Sequence, residues 1–118
     1  MKTYILIIFL LLTFIAGCSK VSDETLRAAH KAVENGAIIL DVRTTKEYKK
    51  KHINKAINIP LQELHNMYVS LAKDKEIVVY CRSGSRSSTA TKLLRKKGYT
   101  VYDVATQADW ERDVSLKQ

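Results

Sequence analysis

Cysteine is scarce in this chain, with Cys18 and Cys81 the only two in 118 residues. Two thiols exclude a scaffold built on several disulfides. Proline occurs once, at Pro60, and glycine four times. No repeat, low-complexity stretch or linker interrupts residues 22–118, which leaves room for one domain of ordinary size. Acidic side chains are the minority charge, 12 against 20 Lys and Arg, and the formal net charge is +8. A positive balance admits nucleic acid, anionic lipid or small anions as partners. Nucleic acid is set aside, because no motif interleaves aromatic and basic residues. Most lysines fall on expected helix faces and ends, where solvation accounts for them. Metal-ligand spacing is also missing, since His30, His52 and His65 stand apart. The sequence asks for no metal and no cofactor.

A hydrophobic run long enough to cross a bilayer is the last absence. From Tyr4 to Ala16 the chain is apolar except at Thr13, which is shorter than the roughly 20 residues a crossing helix needs. Behind Met1-Lys2-Thr3 the run reads as the hydrophobic region of a secretion signal. It ends in Ile15-Ala16-Gly17-Cys18, which resembles a bacterial lipobox. That resemblance implies a signal peptide over residues 1–17, a diacylglycerol on the Cys18 thiol and a lipid-anchored tether over residues 18–21. The alternative is an uncleaved anchor helix. The anchored protein faces the periplasm or the cell exterior. Ser19 lacks the aspartate that resembles an inner-membrane retention signal, so the outer membrane is favoured if there are two. With Cys18 acylated, Cys81 has no disulfide partner, and a free thiol in an oxidising compartment points to its reactivity.

Past the tether, Ser22 is placed to cap a helix carrying Asp23 and Glu24 in its first turn, and Asn35-Gly36 to stop it. Ala37 to Val42 lacks alternation and reads as a strand buried on both faces. A turn and a short charged helix with Glu47 and Tyr48 follow, then a short strand at Ala56–Ile59 stopped by Pro60. Leu61, Leu64, Met67, Tyr68 and Leu71 recur at helical spacing. A strand through Cys81, a helix from about Ser85 to Lys97 capped by Gly98, a strand at Thr100–Val104 and a terminal helix or tail complete the chain. Strands alternating with helices predict an α/β domain with a mainly parallel sheet flanked by helices.

The central stretch is Ile77-Val78-Val79-Tyr80-Cys81-Arg82-Ser83-Gly84-Ser85-Arg86-Ser87-Ser88. A buried strand delivers a cysteine to a small, hydroxyl-rich loop with two arginines that runs into a helix N-terminus. Loop N–H groups and the helix dipole there form a concavity suited to an anion. A thiol so placed is expected to have a lowered pKa. Asp41 and Arg43 end a neighbouring strand at the same sheet edge, where ligands bind in such folds.

In this order the chain resembles the rhodanese-like domain family, from about Ser22 to Trp110. The markers are Ile39-Leu40-Asp41-Val42-Arg43, Glu47-Tyr48, His52-Ile53 with Ala56-Ile57-Asn58-Ile59-Pro60, and Val79 to Ser87. The resemblance implies a single rhodanese-like domain acting as a sulfurtransferase through a persulfide on Cys81. Arg82, Ser83, Gly84, Ser85 and Arg86 match the loop that cradles persulfide and donor. The implied donor is a small sulfur anion such as thiosulfate and the acceptor cyanide or a thiol; a monomer is expected. Asp41, Arg43 and Glu47 are expected to brace the loop, with direct donor binding by Arg43 as the alternative. Four residues separate Cys81 from Arg86, which resembles the sulfur-binding version rather than the five-residue loop of related phosphatases.

Two departures from the family pattern stand out. Lys51 and Lys55 occupy positions where the family usually has glycine, and Ala105-Thr106-Gln107-Ala108 replaces a Gly-Gly region ahead of Trp110. The second departure borders the site and is expected to narrow it or to change donor preference. A weakly active or inactive module binding small sulfur anions or a protein partner is the alternative function.

Overall fold

Ser22 caps a helix as expected: its Oγ accepts from Thr25 N at 3.1 Å at the start of α1, Asp23–Glu34, whose first turn carries two carboxylates against the helix dipole. The computed structural model describes residues 21–112 and 114. The expected signal peptide over residues 1–17, Cys18, the expected tether as far as Lys20 and the last four residues lie outside the described residues.

Among the described residues four strands follow: β1 (Ile38–Asp41), β2 (Ile57–Asn58), β3 (Ile77–Cys81) and β4 (Val101–Thr106). Between them run α2 (Thr45–Lys50), α3 (Leu61–Met67) with a 3-10 turn at Tyr68–Ser70, and α4 (Ser85–Lys96), and α5 (Gln107–Glu111) closes the chain. The sheet order is β2-β1-β3-β4, and every pairing is parallel. Parallel strands need crossovers, and the helices supply them on both faces. That is why β1 and β3 are aliphatic without alternation. All five residues of β3 are buried.

The sheet separates two cores. On one face Leu40, Val79 and Cys81 meet Leu64 and Leu71 below, and Ala90 and Leu94 of α4. On the other, Ile39, Val78 and Tyr80 meet Leu26 and Ala29 of α1, with Trp110 packed alongside. Each fully buried leucine here contributes roughly 1.5–3 kcal/mol relative to exposure. Trp110 also stacks on His30, ring centroids 3.7 Å apart, and its carbonyl meets His30 Nε2 at 3.0 Å. Among the described residues, no helix is long and apolar enough to cross a membrane.

The two lysines in the usual glycine positions behave differently. Lys51 has φ −164°, extended backbone open to any side chain. Lys55 adopts φ +68° and keeps the left-handed turn despite its Cβ. The turn into β2 is therefore built at a cost in backbone strain at Lys55.

Candidate active site

All four strands end at one sheet edge, and the site is built there. β3 delivers Cys81, 1% exposed, to the mouth of the turn into α4. Gly84 serves as the N-cap of α4 at φ +95°, and that left-handed residue folds the loop back over the thiol. Gly84 N donates to Cys81 Sγ at 3.0 Å and Ser87 N at 3.3 Å. Ser87 Oγ in turn donates to Gly84 O at 3.1 Å and ties the two ends of the loop together. Two N–H groups converging on one sulfur, at the positive end of a 12-residue helix, stabilise negative charge on that atom or on a sulfur bonded to it. Arg82, Ser83 and Ser85 are exposed around the rim, and Arg86 is half-buried.

Arg86 faces inward to a partner rather than outward to solvent. Its two terminal nitrogens donate to the two oxygens of Glu47, Nη1 to Oε1 at 2.7 Å and Nη2 to Oε2 at 3.0 Å. Such a bidentate pair fixes the plane of the guanidinium. Glu47 is itself held by a capping box: Thr44 Oγ1 accepts from Glu47 N, and Glu47 Oε1 accepts from Thr44 N. Held first by Arg86, the Glu47 carboxyl falls from its ordinary 4.5 to about 2. The bond to Glu47 also raises the Arg86 guanidinium, with the charge on Cys81 a smaller contribution of the same sign.

A second network lies under the loop. Asp41 is fully buried and accepts at Oδ1 from Arg43 N (2.8 Å), and at Oδ2 from Arg43 Nη2 (2.7 Å) and Tyr80 Oη (2.6 Å). Tyr80 Oη accepts in turn from Ile53 N at 3.1 Å. Arg43 Nη2 also donates to Lys51 O, and the guanidinium carbon lies 5.4 Å from the Tyr80 ring centroid. Asn58 Nδ2 donates to the carbonyls of Asp41 and Arg43, both at 3.0 Å. A carboxylate this deep is tolerable only with such partners. Burial and then the bond to Asp41 push the Tyr80 hydroxyl above its ordinary value. Arg43 is likewise raised, chiefly by its hydrogen bonds to Asp41.

The predicted residues thus fall into two connected groups. Gly84, Ser87 and the loop enclose the Cys81 sulfur, with Glu47 joined to the loop through Arg86. Asp41 and Arg43 pair with each other and brace the adjacent strand end. Sequence reasoning missed Tyr80, Asn58 and Ser87. Tyr80 left one trace, a hydroxyl in an otherwise aliphatic strand. Among the described residues no cluster of His, Cys, Asp or Glu has the makings of a metal site.

The far wall of the loop comes from β4. Three steps along β4, Asp103 to Thr106, oppose two along β3, Val79 to Cys81, so β4 carries a bulge. Ala105 sits in it at φ +61°, its N donating to Asp103 Oδ1 at 2.9 Å. The Ala105 methyl lies 3.3 Å from where a Cβ on Gly84 would be. A side chain therefore lines the wall where the family usually has glycine.

Comparison with known proteins bears on this geometry. The rhodanese-like domain family matches residues 25–106. The thiosulfate sulfurtransferase PspE of Escherichia coli is 38% identical over 63 residues, covering 52% of this chain and 61% of its own length. A rhodanese-related protein from Thermoplasma volcanium superposes with TM-score 0.63 at 32% identity, covering 79% of this chain and 90% of that one. The human single-domain sulfurtransferase TSTD1 superposes at 0.62 with 28% identity, covering 82% and 100% respectively. The chain spans between 17% and 61% of the length of the first sequence relatives it matches.

Proposed function

The chain belongs to the rhodanese-like domain family, and on that premise we propose that it moves a sulfane sulfur from a donor such as thiosulfate to cyanide or a thiol through a persulfide on Cys81. The observation that carries this reading is the convergence of Gly84 N and Ser87 N on Cys81 Sγ. In the first step the Cys81 thiolate attacks the outer sulfur of thiosulfate. A new S–S bond forms, the old one breaks, and sulfite leaves with the electron pair. In the second step the acceptor attacks the terminal sulfur, and the pair returns to Cys81 Sγ. This is covalent catalysis in which the loop amides hold the charge on sulfur through both steps. Arg82, Ser83, Ser85 and Arg86 line the approach to the cradle, and Arg86, locked on Glu47, fixes the loop's shape. Asp41 and Arg43 act as a brace.

Incubation of the full chain with thiosulfate, followed by intact mass, tests the reading. The expected result is a gain of one sulfur atom, absent in Cys81→Ser and discharged by cyanide or a thiol. No gain with any sulfane donor selects the second reading, a weakly active or inactive module that binds sulfur anions or a protein partner, which the Ala105 wall favours. The lipobox-like Ile15-Ala16-Gly17-Cys18 supports an exported, lipid-anchored form. In detergent partition of the native protein, Cys18→Ala is then expected to leave the detergent phase or to block processing; an unchanged partition contradicts the anchor.

A further inference from the structure

Beside the sulfur cradle, between α2 and the active loop, lies an open cleft of about 410 Å3 lined by Arg43, Lys46, Glu47, Lys50, Lys51 and Arg82. Two of these charges are already committed, Arg43 to Asp41 and Glu47 to Arg86. Glu47 is the single acid in the lining, and Arg86 neutralises it. Lys46, Lys50, Lys51 and Arg82 are exposed and have no carboxylate partner among the described residues. Four cations thus face one concavity with no counter-ion of their own. Clefts lined by one sign of charge concentrate ions of the other. The volume suits a small organic molecule, for which sites run from about 300 to 1,000 Å3, while the sulfur being transferred needs only the loop. Arg82 follows Cys81 in the chain and Glu47 reaches the loop through Arg86, so the cleft shares a wall with the loop that holds the thiol.

We propose that this cleft holds the anionic tail of the sulfur acceptor, and that the acceptor is a thiol bearing two or more negative charges, selected by Lys46, Lys50 and Lys51. The proposal rests on the sulfur-transfer reading above. The acceptor thiolate attacks the terminal sulfur of the Cys81 persulfide. One S–S bond forms as the Cys81 Sγ–S bond breaks, the electron pair returns to Cys81 Sγ, and no external oxidant or reductant is needed.

The test compares acceptors that share one thiol environment and differ in charge, with rates referred to the thiolate present and the full chain loaded with sulfur: dimethyl mercaptosuccinate against mercaptosuccinate, and pantetheine against 4′-phosphopantetheine. The charged member of each pair is expected to show the higher kcat/KM, by about tenfold or more. That ratio collapses in the triple variant K46Q/K50Q/K51Q and survives in K92Q/K96Q, which removes two charges from α4 instead. In the unaltered chain it also falls as ionic strength rises from about 0.01 to 0.5 M, where screening shortens from about 30 Å to a few ångströms. The stronger of the two pairs identifies carboxylate or phosphate as the tail. Ratios near one in the unaltered chain, or ratios indifferent to the triple substitution, overturn the proposal. If Cys81 takes up no sulfur, the sulfur-transfer reading fails separately. Calorimetric binding of mercaptosuccinate and 4′-phosphopantetheine to the Cys81→Ser chain then decides the cleft: binding lost in the triple variant supports an anion site, and no binding rejects it.

Discussion

Tyr80 joins two parts of the molecule through one oxygen. Its hydroxyl donates to buried Asp41 and accepts from the amide of Ile53, which is itself buried. Removing that oxygen strands a donor and weakens the solvation of a carboxylate, so Tyr80→Phe is expected to cost about 1–3 kcal/mol. Urea unfolding measures it, and a cost near zero contradicts the assigned network. Glu47 permits a pH experiment. Its folded pKa lies near 2, below the ordinary 4.5, so its pairing with Arg86 stabilises the fold above pH 4.5 and is lost as pH falls toward 2. The stability gap between the unaltered chain and Glu47→Gln should hold level from neutrality to about pH 4.5 and close below it. A gap that persists at pH 2 refutes the pairing. Neither contact was legible in the sequence, because Tyr80 and Asp41, like Glu47 and Arg86, are 39 residues apart and leave no local pattern.

The elements were more legible than their junctions. Aliphatic runs without alternation identified β1 and β3, and Ser22, Asn35 and Gly36 marked the ends of α1, because burial on both faces and capping are local in sequence. The bulge in β4 carries no glycine to announce it, and Ala105 holds its left-handed turn only through its neighbours. Its methyl and the missing Cβ of Gly84 face each other across the loop. Gly84→Ala meets both a left-handed φ and that close contact, and is expected to lose at least about 1–2 kcal/mol. Part of the loss belongs to the contact alone. A double-mutant cycle with Ala105→Gly should therefore recover about 0.5 kcal/mol or more beyond additivity. Strict additivity in that cycle means that the backbone strain at Gly84 accounts for the whole effect. The charged helix α2 shows the same limit of local reading. Its lysines read as a solvated face, and only the fold brings Lys46, Lys50 and Lys51 beside Arg82.

For the molecule as a whole, the order β2-β1-β3-β4 puts the cysteine strand inside the sheet, sandwiched between two cores. Interior parallel strands open only with the entire fold, whereas edges and short helices open locally. Hydrogen exchange should find the amides of Val78 to Tyr80 protected to the full unfolding free energy and those of α2 and β2 much less. Equal protection across these elements contradicts the assigned order. On that expectation the Cys81 loop is anchored on the most persistent element, while the charged cleft has its other wall on one that yields. The two outer strands have a different consequence. An open sheet invites a second chain to extend it, and that is how fibres nucleate. Here β2 is two residues long, with an exposed lysine at Lys55 before it and Pro60 after it, and β4 is broken by the bulge at Ala105. Neither offers a straight ladder for another strand, so a domain with every pairing parallel is guarded against polymerising edge to edge.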